Sequence, residues 1–377
     1  MQFFAKIAIF FRIFEGSIKK THKTMKNSLR IFVILAIAFL GIGHASAQYV
    51  TIHAKAATPG QQNGLYYALP RTVLRLDFLI EETQLLRGPY SDYVGMVGAE
   101  DYIADNETVY RIQSVTMVPT AEADPNATFF VSMNLKKGDA AGFSLTPKGI
   151  LQGVGVQGLP AVQEATVPAQ PEVLYSDPIP FKYRYGAGRN LDQAARNAAE
   201  MINKIRDEKM KLITGFQETA FHLDTYQQMY ADLNEMERDY MSLFIGKRQT
   251  RTYVKSVYVT PNKDVPKLSV AKFSEEYGLT VGTMGEGDLI TVQTQSLQTT
   301  GAINGPSQSA VESLSFENKL FYRIPETANV KVNLGGEPLL EQRTTVAQYG
   351  VFMLAPIGKT KLELDPNTGQ VIKIETE

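Results

Sequence analysis

The chain has 377 residues, with 38 basic and 39 acidic side chains, no cysteine and no tryptophan. The missing cysteine excludes a disulfide framework, a thiolate metal site and a lipid carried on an N-terminal cysteine. The charge balance offers no footprint for a phosphate backbone and argues against nucleic acid as a partner.

The first element is an address. The apolar run Ile31-Phe-Val-Ile-Leu-Ala-Ile-Ala-Phe-Leu-Gly-Ile42 follows Lys26 and Arg30 and precedes Ala45-Ser46-Ala47. A basic flank, a short apolar core and small residues at the last and third-last positions are what signal peptidase reads. The run falls short of the roughly 20 apolar residues that span a bilayer. No stop-transfer charges follow it. Residues 25–47 are therefore expected to be a signal peptide. Residues 1–24 form a preface with two readings, an over-extended start or a long basic n-region, of which we favour the first. Cleavage after Ala47 leaves Gln48 at the new end and a mature chain with 31 basic and 38 acidic residues.

Residues 48–151 predict an N-terminal β-rich region. In Val73-Leu-Arg-Leu-Asp-Phe-Leu-Ile80, Leu74, Leu76, Phe78 and Ile80 share one face, with Arg75 and Asp77 on the other. That is the period-two signature of a half-buried strand. Val50–His53, Tyr110–Val118 and Thr128–Met133 are further strands, the last two separated by a turn at Asp124-Pro125-Asn126. A short helix is expected from Ser91 to about Val97, and Thr146-Pro147-Lys148-Gly149 closes a strand pair.

Residues 152–185 lose all period and gather glycines and prolines, as a loop or linker does. Residues 186–247 carry two helical stripes. One runs through Leu191, Ala194, Ala198, Met201, Ile202, Ile205 and Leu212, the other through Tyr226, Met229, Tyr230, Leu233, Met236, Tyr240 and Phe244. Asn190 with Gln193 and Asp224 with Gln227 suit the helix starts; Thr214-Gly215 and Gly246 suit the stops. The short connection predicts an antiparallel hairpin, its tyrosine and methionine stripe packed on a sheet or on the twin helix, with a partner-binding groove as the alternative.

Residues 248–377 return to strands at Tyr253–Thr260, Leu289–Thr294, Leu320–Ile324 and Val330–Leu334. A Gly335-Gly336 turn and a final hairpin over Leu362–Ile374 follow. Leu65-Tyr-Tyr-Ala-Leu-Pro-Arg-Thr72 echoes Leu320-Phe-Tyr-Arg-Ile-Pro-Glu-Thr327. The echo suits either a duplicated β unit or a recurrent strand start with proline at its edge. The fold class expected is α+β: antiparallel, sandwich-like sheets with one helical hairpin inserted.

Several stretches resemble DUF4831, a family of exported proteins from Bacteroidetes with no assigned function. They are Tyr67-Ala-Leu-Pro-Arg-Thr72, Gly88-Pro-Tyr90, Leu212-Ile-Thr-Gly215, Tyr240-Met-Ser-Leu-Phe-Ile-Gly246 and Tyr322-Arg-Ile-Pro325. The resemblance extends over most of the chain and implies a Gram-negative envelope setting. It brings no catalytic residues with it.

The residues with chemical potential are few. Gly153-Val-Gly-Val-Gln-Gly158 matches a dinucleotide fingerprint, but Leu159-Pro160 and a proline-rich stretch stand where the mechanism needs a helix. His53 and His222, far apart and without cysteine, favour structural or surface roles over zinc. No Gly-x-Ser-x-Gly elbow occurs. Asp92, Glu100 and Asp101, beside Tyr90, Tyr93 and Tyr102, are the candidate carboxylates for a glycoside-hydrolysing pair. Asp365-Pro-Asn-Thr-Gly369 lacks the length of a calcium loop and suits a hairpin turn. We name no catalytic, metal or cofactor residue and no cofactor. The expected function is that of a non-enzymatic protein of the periplasm or outer-membrane periphery, not a lipoprotein. It would bind or scaffold another envelope protein or a glycan through its β surface or its hairpin. The alternative is a carboxylate-dependent hydrolase of polysaccharide.

Overall fold

Residues 49–58, 63–133, 142–156, 181, 190–214, 223–358 and 360–376 are described by a computed structural model. The segments read as the over-extended start and signal peptide lie outside them, as do His222 and most of the glycine- and proline-rich stretch. No helix among the described residues is long and apolar enough to cross a membrane.

Alternating apolar residues drive the chain into antiparallel strands, because each strand buries one face of its pleat. In chain order these are β1 (Tyr49–His53), β2 (Gly64–Leu86), β3 (Glu107–Met133), β4 (Phe143–Leu145) and β5 (Leu151–Val154). After the helices come β6 (Lys247–Val259), β7 (Lys267–Ser274), β8 (Gly278–Val281), β9 (Asp288–Ser296) and β10 (Phe316–Glu317). The last four are β11 (Lys319–Leu334), β12 (Glu337–Pro356), β13 (Thr360–Leu364) and β14 (Val371–Thr376). Among the described residues three sheets result, in the orders β10-β1-β3-β2-β6, β12-β11-β9-β7-β8 and β14-β13-β5-β4. The first and third draw strands from both ends of the sequence.

The first two sheets face each other as a sandwich. Leu74, Leu76, Phe78 and Ile80 of β2 meet Ala271, Ile290, Val292, Val330 and Val332 of the opposite sheet. Towards the other end of the same long strands, a second apolar cluster brings in the third sheet. There Tyr67, Leu69 and Phe129 meet Leu151, Phe321 and Leu362, and Phe129 stacks on Phe321 with ring centroids 4.5 Å apart.

Both long hairpins change register between the two clusters, and they do so alike. In β2/β3, Leu69 alone opposes Asp124–Ala127. In β11/β12, Pro325 alone opposes Ala347–Gly350. The two halves of the sequence echo therefore occupy matching bulges, with Pro70 and Pro325 at points where the ladder is already broken. Proline supplies no ladder donor, so a bulge is where a long strand tolerates it. Gly350 serves the same end. A Cβ there would lie 1.9 Å from the Ile324 carbonyl oxygen.

The bulges correct the sequence reading in two places. Tyr110–Val118 and Thr128–Met133 belong to the single strand β3, and Asp124-Pro125-Asn126 is its bulge, not a turn between strands. Likewise Leu320–Ile324 and Val330–Leu334 are both β11. Proline and aspartate signal interruption, and the interruption here is a bulge inside a continuous pair. The Gly335-Gly336 turn holds as expected, with φ of 58° and 109°.

Two helices, α1 (Leu191–Thr214) and α2 (Leu223–Ile245), form the expected hairpin, and a short α3 (Gln308–Ser313) precedes β10. Arg206 bonds to Glu237 and contacts Met241, and Lys209 pairs with Glu237, which fixes the antiparallel sense. The Asn190 side chain accepts from Asp192 N at 3.1 Å, while Gln193 turns to Asn197 and leaves the capping box unmade. α2 begins at Leu223, so Asp224 sits in its first turn, where a negative charge suits the helix dipole.

Candidate functional site

Among the described residues four carboxylates are buried, and the phase of the strands explains two of them. Counting in twos from Leu74 through Ile80 lands on Glu82; counting back in twos from Val330 lands on Glu326. An acid at an inward position must find a cation or several donors, since burying it unpaired is costly. Glu82 accepts from Arg251 at 2.5 Å and from Gln84 at 3.1 Å. Glu326 accepts from Ser296, from Lys263 at 3.1 Å, from Gln298 N at 2.8 Å and from Thr300 at 3.2 Å. Burial alone would raise the Glu326 carboxyl, but these bonds outweigh it and hold the group below the ordinary glutamate range.

Asp124, in the β3 bulge, pairs with Arg323 at 2.8 Å, and Arg323 also donates to Pro70 O at 2.6 Å. Arg323 lies over the Phe352 ring. Burial lowers the affinity of its guanidinium for the proton, and Asp124 opposes that. Arg75 and Asp77 pair at 3.1 Å on the face of β2 away from the sandwich core, with Ser256 donating to Asp77 at 2.6 Å. Sequence alternation placed this pair on a half-buried strand's solvent side, yet both residues are buried. Their mutual neutralisation is what permits it.

A neutral seam runs beside these pairs. The Gln348 side chain accepts from Thr72 N at 2.8 Å and donates to Thr72 O and Pro261 O, each at 3.0 Å. It thereby stands in for a strand neighbour where β12 crosses onto the first sheet. The Tyr67 hydroxyl accepts from Phe321 N at 2.9 Å and reaches Phe321 O at 3.4 Å. Burial pushes its pKa well above the ordinary tyrosine value. Every buried carboxylate among the described residues thus has its protein cation: Asp124–Arg323 joins two sheets, Glu82–Arg251 joins neighbouring strands, and Arg75–Asp77 closes within β2.

The residues singled out in the sequence fall apart in space or into turns. Asp92 is exposed and pairs with Arg87, and Glu100 and Asp101 are exposed. Tyr90 is instead a core residue against Phe244, with centroids 5.6 Å apart. His53 is buried. Its Nε2 bonds to Asn126 O at 3.2 Å and its Nδ1 accepts from Lys55 N, capping the 3-10 turn that follows. Gly153 lies within β5, opposite Glu363, and Gly155 turns the chain at φ 70°; Gly158 lies outside the described residues. Asp365 accepts from Asn367 N and the Thr368 hydroxyl, closing the expected turn. No group of three His, Asp or Glu among the described residues could hold a metal ion.

The helical hairpin leaves part of its surface free of internal packing. Its base is built by the Ser91–Val97 3-10 turn, which meets the predicted short helix residue for residue. Leu243 O and Ile245 O, orphan carbonyls at the end of α2, accept from Tyr90 N at 2.8 Å and Ile103 N at 2.9 Å. Gly246 ends the helix at φ 86°, where a Cβ would lie 2.4 Å from Leu86 O. Tyr90, Ala195, Ala198, Ile202, Leu243 and Phe244 fill the base. The stripe on α2 therefore packs on its twin helix and on this turn, not on a sheet. Beyond the Arg206–Glu237–Lys209 clamp, Met210, Ile213 and Leu223 at the far ends of the two helices are 61%, 57% and 69% exposed. Tyr226 and Tyr230 lie parallel to one another, 6.5 Å apart.

A family model described as "Domain of unknown function (DUF4831)" matches residues 63–372, which take in β2 to β13 and the whole hairpin. The chain belongs to the DUF4831 family. No curated protein and no solved structure matches it. What sequence reading missed in this DUF4831 protein is the set of cations that serve the buried acids, the buried Arg323 and Arg75 and the half-buried Arg251. The signal was available for the first. Arg323 stands two residues after Phe321, at an inward position of a strand that resumes its phase at Glu326.

Proposed function

We propose that this DUF4831 protein is exported to the periplasm or outer-membrane periphery and acts there by binding or scaffolding, not by catalysis. The helical hairpin is its contact arm, and the partner is another envelope protein or a glycan. One observation carries the reading. Among the described residues the buried acids are each committed to a protein cation, while Met210, Ile213 and Leu223 are left exposed at the far ends of the hairpin. Exposed large apolar side chains grouped at one end of an element favour contact with a partner. Export rests on the basic flank, apolar run and Ala45-Ser46-Ala47 of the N-terminus.

Two measurements test this. Mass spectrometry of the protein from envelope fractions is expected to find Gln48 at its N-terminus; a cytosolic chain that keeps residues 25–47 refutes the compartment. Cross-linked isolation is then compared between the unaltered chain and the triple variant Met210→Ser, Ile213→Ser, Leu223→Ser. The same envelope partner should be retained by the first and reduced about tenfold with the second, a loss near 1.4 kcal/mol. Equal retention refutes the arm. Release of sugar from polysaccharide by the purified chain, abolished by Asp92→Asn, Glu100→Gln or Asp101→Asn, would establish the hydrolase instead.

A further inference from the structure

An open sheet edge presents unpaired backbone donors and acceptors to any other chain, and proteins usually blunt such edges. Most edges here are blunted. β10, β8 and β4 run for two, four and three residues. β12 carries Pro338, Pro356 and its bulge, and the chain at Gly305 crosses it so closely that a Cβ there would lie 2.2 Å from Phe352 O. β6 is long but bears Lys247, Arg248, Arg251 and Lys255, charges of one sign that repel a second copy of the same strand.

β14 has neither a proline nor charges of a single sign, and its one bulge, at Ile372, leaves Lys373 to Thr376 regular. Its sequence is Val371-Ile-Lys-Ile-Glu-Thr376, and among the described residues it pairs only with β13. Ile372 and Ile374 are 62% and 52% exposed. Ile374 sits opposite the fully buried Leu362, so it lies on the core-facing side of the sheet, past the point where the core ends. Lys373 and Glu375 are neighbours on the other side, 2.6 Å apart and both exposed.

We propose that β14 is a self-pairing edge through which two copies of this chain associate. The copies run antiparallel about a two-fold axis at Ile374, fusing two four-stranded sheets into one of eight strands. In that register Ile374 meets its own copy. Lys373 of each chain stands opposite Glu375 of the other, and the regular ladder ends at the Ile372 bulge. The alternation of signs is what selects the occupant. Two cross-strand pairs of opposite charge form only in this antiparallel register, and opposite charges facing one another favour pairing while like charges oppose it. An interface of three residues a side, about 10 Å long, is below the size of a permanent dimer and makes a transient one. This association is independent of the hairpin and its partner.

The test is sedimentation of the purified chain from micromolar concentrations to about 1 mM, the range of transient pairs. The unaltered chain should move from monomer to dimer within it. Lys373→Glu places glutamates opposite glutamates, and Glu375→Lys places lysines opposite lysines; each alone should weaken dimerisation at least about tenfold. An equimolar mixture of these two variants should form the mixed dimer, because every facing pair is again of opposite sign. Ile374→Lys, which sets a lysine against its copy on the axis, should leave monomer. All three positions are exposed, and unchanged circular dichroism verifies the fold of each variant. A chain monomeric throughout, a dimer indifferent to these substitutions, or a mixture no more associated than its components would each overturn the proposal.

Discussion

Replacing Asp124 by alanine removes the counter-charge of a guanidinium that is only 4% exposed. Arg323 then keeps its bond to Pro70 O and its place over the Phe352 ring, but its charge is uncompensated. Breaking one side of a buried pair costs about 3–5 kcal/mol. The substitution also removes the acceptor for Asn126 N within the bulge, a further loss of about 1 kcal/mol. For a chain of this size each kcal/mol moves the melting midpoint by about 2 °C. Asp124→Ala should therefore melt about 8–12 °C below the unaltered protein by calorimetry. The double variant Arg323→Met, Asp124→Ala carries no stranded charge and sets a flexible apolar side chain beside Phe352. It should regain at least about 2 kcal/mol relative to Asp124→Ala, since apolar replacement of a buried pair is often neutral or stabilising. A melting point for Asp124→Ala close to that of the unaltered chain, or a double variant as unstable as the sum of its parts, would refute this account of the junction.

Three further outcomes follow from the same geometry. Glu326 has a folded pKa below its unfolded one, so its stabilising contribution is complete above about pH 4.3 and fades as pH falls through the folded value. The gap in melting temperature between the unaltered chain and Glu326→Gln should shrink on acidification from pH 7; a gap that widens counts against the donor set around Glu326. Tyr67→Phe leaves Phe321 N buried without its acceptor and should cost about 1–3 kcal/mol in denaturant titration; no measurable loss would show that another acceptor replaces the hydroxyl. Gly246→Ala forces a side chain into a left-handed residue facing Leu86 O, and should lower stability by more than about 1 kcal/mol while speeding amide exchange at Tyr90 and Ile103; unchanged exchange would mean that Gly246 does not set the base of the hairpin.

The parts of the fold legible in sequence were those where one face alone is apolar. Leu74 to Ile80, Val330 to Leu334 and the two helical stripes announce themselves because burial on one side imposes a clean period. The Gly335-Gly336 turn and the stop at Gly246 were legible because each needs positive φ. Strand length was not. Pro70 and Pro325 marked strand limits in the sequence, whereas a bulge of four residues on the opposite strand lets each pair continue beyond them. β7, β8 and most of β12 went unseen. Glu337-Pro-Leu-Leu-Glu-Gln-Arg-Thr-Thr345 has little alternation, because as an edge strand it is held by pairing with β11 more than by burial. The ionic junctions were hidden for a different reason. Arg75 and Asp77 look alike on a solvated face and in a buried pair, and only the third dimension separates the two cases.

Four strands, β2, β3, β11 and β12, thread both apolar clusters and cross the polar seam between them. Opening either cluster means unzipping ladders that the other also depends on, so neither pole of the molecule can melt by itself. Heat or tension applied at one end is shared along the full run of these ribbons, and the β body is expected to give way as one unit.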